Sequence, residues 1–165
     1  MNIFAQIIAF SAFLFFISSV QMKEKKKLVF FQLIANLLYG ISYLLLNVKT
    51  AFYMNFISVL RCTILYFSKK KKPPIIYLFI LIGLIISIGI LTYDNLLSII
   101  PIGITILYTV STWQDNMKVI RYLFVIAGVF WIIYNYSVGA YVAIIGNVFE
   151  ITSGIVSIIR FNKKQ

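Results

Sequence analysis

Residues 3–46 read IFAQIIAFSAFLFFISSV, QMKEKKK, LVFFQLIANLLYGISYLLL: two long apolar runs separated by seven residues that carry four lysines. As a helix rising about 1.5 Å per residue, each run nearly spans a hydrocarbon core of roughly 30 Å. Helix is the form available to an open-ended spanning segment, because its backbone groups must bond within the segment. The same alternation continues along the chain. It predicts seven spans: Ile3–Val20, Leu28–Leu46, Ala51–Phe67, Ile75–Thr92, Leu96–Trp113, Val119–Tyr136 and Ala140–Ile159. Short connections such as Asn47 to Thr50, Tyr93 to Asn95 and Ser137 to Gly139 leave no stretch for a soluble domain.

Composition agrees. Of 165 residues, 62% are apolar and 12% charged, where a soluble domain averages about 45–50% and about 25%. The mean hydropathy is +0.99. With no His and one Cys, Cys62, the chain has no metal-ligand set, disulfide framework or Cys–His dyad. No nucleotide-binding loop or zinc signature is present, so neither cofactor nor metal is expected.

The net charge of +11 resembles a nucleic-acid signature until the charges are placed. Thirteen of the 15 basic residues fall in alternate connections and the C-terminus: Lys23, Lys25 to Lys27, Lys69 to Lys72, Lys118, Arg121, Arg160, Lys163 and Lys164. The opposite connections hold only Lys49. By the positive-inside rule the basic side is cytoplasmic, which puts the N-terminus outside, the C-terminus inside, and demands an odd number of spans. A cleaved leader is not expected, since no basic residue precedes the first apolar run. No basic stripe is interleaved with exposed aromatics, so no nucleic-acid partner is expected. The bilayer is the partner, and some attraction to anionic inner-leaflet lipid follows from the charge.

An offset of 92 residues overlays spans one to three on spans five to seven without a gap. Eleven identities result, against roughly six expected by chance in so Ile- and Leu-rich a chain. Matching polar positions carry more weight: Tyr39 pairs with Trp131, and Asn55 with Asn147. The reading is therefore an all-α membrane protein with two parallel three-helix bundles, residues 1–73 and 93–165, and a linker helix within 74–92. Parallel repeats related by an axis along the membrane normal are a known transporter architecture, with the site at the repeat interface. A duplication kept only for packing is the alternative.

This order of three helices, one linker and three helices resembles the SWEET, SemiSWEET and PQ-loop membrane proteins. Over nearly the whole chain the likeness is closer to the bacterial inner-membrane YgjV family. It is carried by the basic first loop, YTVSTW at Tyr108–Trp113, WIIYNYSVG at Trp131–Gly139, and IIRF at Ile158–Phe161. The SWEET likeness implies a pocket with an aromatic or small residue on the second helix of each bundle opposite an Asn on the third. That carries over to Trp131 with Asn147, and to Tyr39 with Asn55. It also implies a hinge proline in the first helix of each bundle. Pro101 matches, whereas its partner position is Ala9.

The residues support a shared site without any family. Tyr39 and Asn55 lie eight residues either side of Asn47, and Trp131 and Asn147 eight either side of Gly139. All four thus sit about 12 Å below the outer turns. Amides offer paired donors and acceptors to a neutral polar solute, and an indole stacks on a sugar or base face. Each Asn could equally hydrogen-bond a neighbouring helix as packing glue.

Arg61 and Glu150 are the charges deep inside spans, where each should face the bundle interior or water. They could form an ion pair between spans three and seven, either structural or a gate. Snorkelling toward the inner interface is the other reading for Arg61. A carboxyl at the depth of Glu150 can also carry a proton and so couple transport to protons. Asn135, one turn after Trp131, is expected at the outer mouth or as a helix cap. Trp113 is expected as an interfacial anchor, and Cys62 as a packing residue. Gly103 and Thr105 would relieve a kink at Pro101.

These features favour a transporter or facilitator for a small neutral polar solute, sugar- or nucleoside-like. The alternative is a membrane protein that binds a partner or lipid without transport. An enzyme is not expected, because Glu150, Asp94 and Asp115 lie at different depths and cannot flank one reacting group.

Overall fold

The computed structural model describes residues 3–68 and 73–162, with side chains to Arg160. Lys69 to Lys72, Lys163 and Lys164, counted above on the basic side, lie outside the described residues. Helices α1 Ile3–Val20, α2 Lys25–Leu45, α3 Lys49–Phe67, α4 Ile75–Leu91, α5 Ile99–Trp113, α6 Met117–Ser137 and α7 Tyr141–Asn162 follow in order. A 3-10 turn, Leu96–Ser98, leads directly into α5. No strand occurs among the described residues. Among the described residues, six helical segments are long and apolar enough to cross a membrane, with the 3-10 turn extending α5 to Leu96–Trp113; Ile75–Leu91 is a shorter apolar helix. The helices overrun several predicted spans at the basic end, because α2 and α6 begin at Lys25 and Met117 rather than at the first continuous apolar residue. A charged first turn remains helical where it meets the aqueous interface.

The helix boundaries follow from local chemistry. Helix α2 closes on Asn47, whose φ of 58° is left-handed. There Val48 N donates to Tyr43 O at 2.9 Å and Asn47 N to Leu44 O at 3.0 Å. Helix α6 closes in the same way on Gly139, with φ 72°, as Ala140 N donates to Asn135 O at 2.9 Å and Gly139 N to Tyr136 O at 3.3 Å. Both are Schellman closures, and they stand 92 residues apart. Asn116 caps α6 through Lys118 N, and Asn95 caps the 3-10 turn through Leu97 N, each at 2.9 Å. Pro73 and Pro74 precede α4, where a missing N–H costs no helical bond.

Six helices form a ring: α1 packs on α2, α2 on α3, α3 on α5, α5 on α6, α6 on α7, and α7 on α1. Helix α4 lies outside the ring against α3 and α5. Ser42 Oγ ties α2 to Ala5 O of α1 at 2.8 Å, and Ser157 Oγ ties α7 to Val20 O at 3.3 Å. Polarity is inverted relative to a soluble protein. Large apolar side chains such as Phe4, Leu14, Phe79, Ile90 and Phe149 face outward, while Gln32, Asn36, Asn55, Arg61, Asn135, Asn147 and Glu150 are buried. That distribution suits a hydrocarbon solvent, in which polar groups must find their partners inside.

Candidate functional site

The ring encloses a narrow pocket of about 30 Å³ to which all six of its helices contribute. Tyr39, Asn55, Trp131 and Asn147, singled out from the sequence, all line it. Residues not anticipated join them: Phe16, Asn36, Tyr43, Ser58, Thr105 and Tyr108. The 92-residue offset could have found most of them. Ten of the twelve lining residues form five pairs at that spacing: Phe16 and Tyr108, Tyr39 and Trp131, Tyr43 and Asn135, Asn55 and Asn147, Ser58 and Glu150.

A chain of hydrogen bonds crosses this pocket. The Tyr43 hydroxyl donates to Asn135 Oδ1 at 2.7 Å, and Asn135 Nδ2 donates to Asn147 Oδ1 at 2.9 Å. Asn147 Nδ2 donates to Glu150 Oε2 at 3.3 Å, and the Tyr108 hydroxyl donates to Glu150 Oε1 at 2.9 Å. Every donor therefore points toward the carboxylate. Asn55 instead returns its Nδ2 to Ala51 O of its own helix at 2.9 Å.

Aromatic layers bound the pocket on both sides. Toward the end with the α2–α3 and α6–α7 turns, Tyr43 stacks between Tyr39 and Trp131, with centroids 6.4 and 5.9 Å apart, and Tyr134 meets Tyr43 edge-on. Toward the basic end, Phe16, Tyr108 and Phe124 pack together at 4.9–6.2 Å. Beyond the first layer lies a polar cleft of about 410 Å³ between the α2–α3 turn, the segment after α4 and the end of α6; Lys49, Asp94 and Tyr134 line it.

Several expected positions are revised. Asn135 is neither at the mouth nor a side-chain cap; it is 1% exposed and bonded at both ends of its amide. Arg61 does not snorkel, being 1% exposed. No Arg61–Glu150 ion pair occurs among the described residues, because Tyr108 stands between them. Its hydroxyl holds Glu150, and Arg61 Cζ lies 5.9 Å from its ring centroid. Arg61 Nη2 reaches Cys62 Sγ at 3.7 Å, while its Nε and Nη1 have no hydrogen-bond partner among the described residues. Cys62, buried, also receives Asn36 Nδ2 at 3.8 Å. Trp113 is no interfacial anchor: it is buried among Met54, Ile57, Leu81 and Ile85 between α3 and α4. Pro101 lies in the first turn of α5, where a proline breaks no interior helical bond. Any bend there falls at the junction with the 3-10 turn rather than mid-helix, and Thr105 Oγ1 satisfies Pro101 O at 2.7 Å.

No cluster of three or more potential metal ligands occurs among the described residues. What the pocket offers is neutral hydrogen-bonding groups, ring faces and one carboxylate, inside a bundle whose exterior is apolar. That defines a multi-pass integral membrane protein with a polar interior site. The chain belongs to the Imp-YgjV family of bacterial inner membrane proteins, whose model matches residues 3–165. No curated protein and no solved structure matches it.

Proposed function

We propose that the protein is a transporter or facilitator that carries a small neutral polar solute, sugar- or nucleoside-like, across the inner membrane. In this reading α1–α3 and α5–α7 are parallel bundles related by a twofold along the membrane normal, with α4 as the linker crossing. The basic end is cytoplasmic and the N-terminus outside. Alternating access then consists of opening one aromatic layer while the other stays closed.

The observation that carries the reading is the polar pocket itself, lined by pairs of residues 92 apart and bounded by rings on both sides. Interior polar groups in a membrane bundle mark solute pathways by default. A volume of about 30 Å³ has room for about two waters, whereas pockets for small solutes run to roughly 300–1,000 Å³. In the transport reading this packing corresponds to a contracted state, and loading a sugar-sized solute requires the ring to part. The outer cleft of about 410 Å³ supplies a vestibule of the right size.

The same small volume favours a second reading, in which the amide chain is packing glue and the protein binds a partner or lipid without transport. Reconstituted vesicles separate the two. Uptake of labelled sugars and nucleosides should exceed that of empty vesicles and fall at least tenfold in Asn147→Ala. Equal flux in protein-free vesicles for every solute tested removes the transport reading. Thermal stabilisation across the same solutes locates the binder, since a ligand that binds the folded state raises its stability.

A further inference from the structure

The proposed site contains one carboxylate on which two donors converge, and nothing in the solute reading requires it. Glu150 is 5% exposed, with Oε1 held by the Tyr108 hydroxyl and Oε2 by Asn147 Nδ2. Asn147 leads to Asn135 and then to Tyr43, the central ring of the outer aromatic layer. We infer that Glu150 is a proton-binding site whose occupancy is read at Tyr43 through the two amides, so that a proton travels with the solute. This rests on the transport reading for its solute, and on the hydrogen-bond chain for its proton.

An ionised carboxylate only accepts hydrogen bonds, whereas a carboxylic acid also donates one. Loading forms one O–H bond with a proton taken from solvent, and release breaks it; no other reactant is needed. The proton goes to Oε2, because the phenol at 2.9 Å holds Oε1 more strongly than the amide at 3.3 Å holds Oε2. Asn147 Nδ2 then faces a donor. Its amide must turn so that Oδ1 accepts from Glu150, which presents Nδ2 to Asn135. Asn135 must turn in its place and offer Nδ2 to Tyr43. The Tyr43 hydroxyl, now facing a donor, has to point its hydrogen away from Asn135. The bond to the central ring of the stack with Tyr39 and Trp131 is thereby reversed: the Tyr43 oxygen accepts from Asn135, and its hydroxyl hydrogen loses the acceptor that held it.

The groups facing Glu150 leave the reversal with one direction. From α2 comes Tyr39, from α5 Tyr108, and from α3 Arg61 behind the Tyr108 ring. Helix α6 presents Trp131 and Asn135, and α1 presents Phe16 and contains no titratable side chain. Glu150 is thus the one carboxyl at the inner end of the relay, with no lysine or histidine among the lining residues to take its proton.

The chain contains two tryptophans, so Trp113→Phe leaves Trp131, in the outer stack, as the sole indole reporter. Its emission in nanodiscs is recorded between about pH 5 and 9. One single-proton transition is expected. It is lost when Glu150→Gln is added, with the emission fixed at the low-pH limit, because the Gln amide donates where the protonated acid would. Glu150→Asp keeps a transition with a displaced midpoint, which separates titration from misfolding. Asn147→Leu abolishes the Trp131 response, while an infrared band of the protonated carboxyl, absent in Glu150→Gln, still titrates. A transition that persists unchanged in Glu150→Gln, or none in the parent, overturns the inference. The transport reading fails separately: a Glu150-dependent transition with no solute uptake in vesicles removes the solute and leaves the proton site.

Discussion

Helices α1–α3 and α5–α7 reach the pocket at matched positions, yet they bring different chemistry. Where the first half has Phe16, Tyr43 and Ser58, the second has Tyr108, Asn135 and Glu150. Three of the four bonds in the hydrogen-bond chain involve Asn147 or Glu150, and the first half contributes only the Tyr43 hydroxyl. Backbone features are shared more faithfully. Both α2 and α6 end in a Schellman closure on a left-handed residue, Asn47 in one and Gly139 in the other. The comparison teaches that the turn geometry recurs at the 92-residue spacing while the side chains at the pocket differ: the second half supplies the carboxylate and most of the bonded amides, and the first half a guanidinium held at a tyrosine ring. Variants at matched positions should therefore have unequal effects.

The largest difference is expected at Ser58 and Glu150. Glu150→Leu removes the acceptor of two buried hydrogen bonds and leaves Asn147 Nδ2 and the Tyr108 hydroxyl as unsatisfied buried donors. The expected loss is about 3–6 kcal/mol, read as a marked fall in the detergent melting temperature. Ser58→Ala at the mated position should cost less than about 1.5 kcal/mol. Equal effects would remove the claim that the second half holds the polar network.

The two turns give the next contrast. Gly139→Val forces a β-branched residue to a φ of 72°, at a cost of about 1–2 kcal/mol. Asn47→Gly relieves the same strain at φ 58° and should stay within about 1 kcal/mol of the parent. Melting curves of both variants test whether the left-handed geometry is shared in solution. A Gly139→Val protein as stable as the parent would show that the second turn relaxes to another form.

Much of the fold was legible because a bilayer makes apolar length informative, and the seven predicted spans correspond to seven helices whose ends differ by a few residues. The belt of Tyr39, Asn55, Trp131 and Asn147 was legible too, since distance from a turn sets depth along a helix. Rotation about the helix axis was not. It decided that Tyr43 and Tyr108 line the pocket, that Asn135 points inward, and that Trp113 packs under α4. Counting from the turns puts Glu150 near the centre and Arg61 slightly nearer the basic end, but the intervening ring of Tyr108 comes from a third helix, which no spacing within α3 or α7 encodes. Pro101 lies in span five as expected; what spacing did not reveal is the 3-10 turn Leu96–Ser98, which takes up the first part of that span and sets the proline at the start of α5.

The smallest expected effect is the most specific to the repeat. Tyr43 and Asn135, 92 residues apart, hydrogen-bond to each other at 2.7 Å, as two mated positions do when they meet near a local twofold axis. Tyr43→Phe and Asn135→Ala should each destabilise the protein, and a double-mutant cycle should return a coupling of about 0.5–1.5 kcal/mol. Exchanging the residues, Tyr43→Asn with Asn135→Tyr, sharpens the test. A twofold carries each position onto the other, so the exchanged pair can re-form its bond, and the transplanted phenol would again lie between Trp131 and Tyr39, with the two neighbours exchanged. The exchange should therefore recover most of the coupling that either single variant loses. If the exchanged protein is no more stable than the single variants added together, the two positions are not interchangeable. The repeat would then be a likeness of helix order without a shared axis through the pocket.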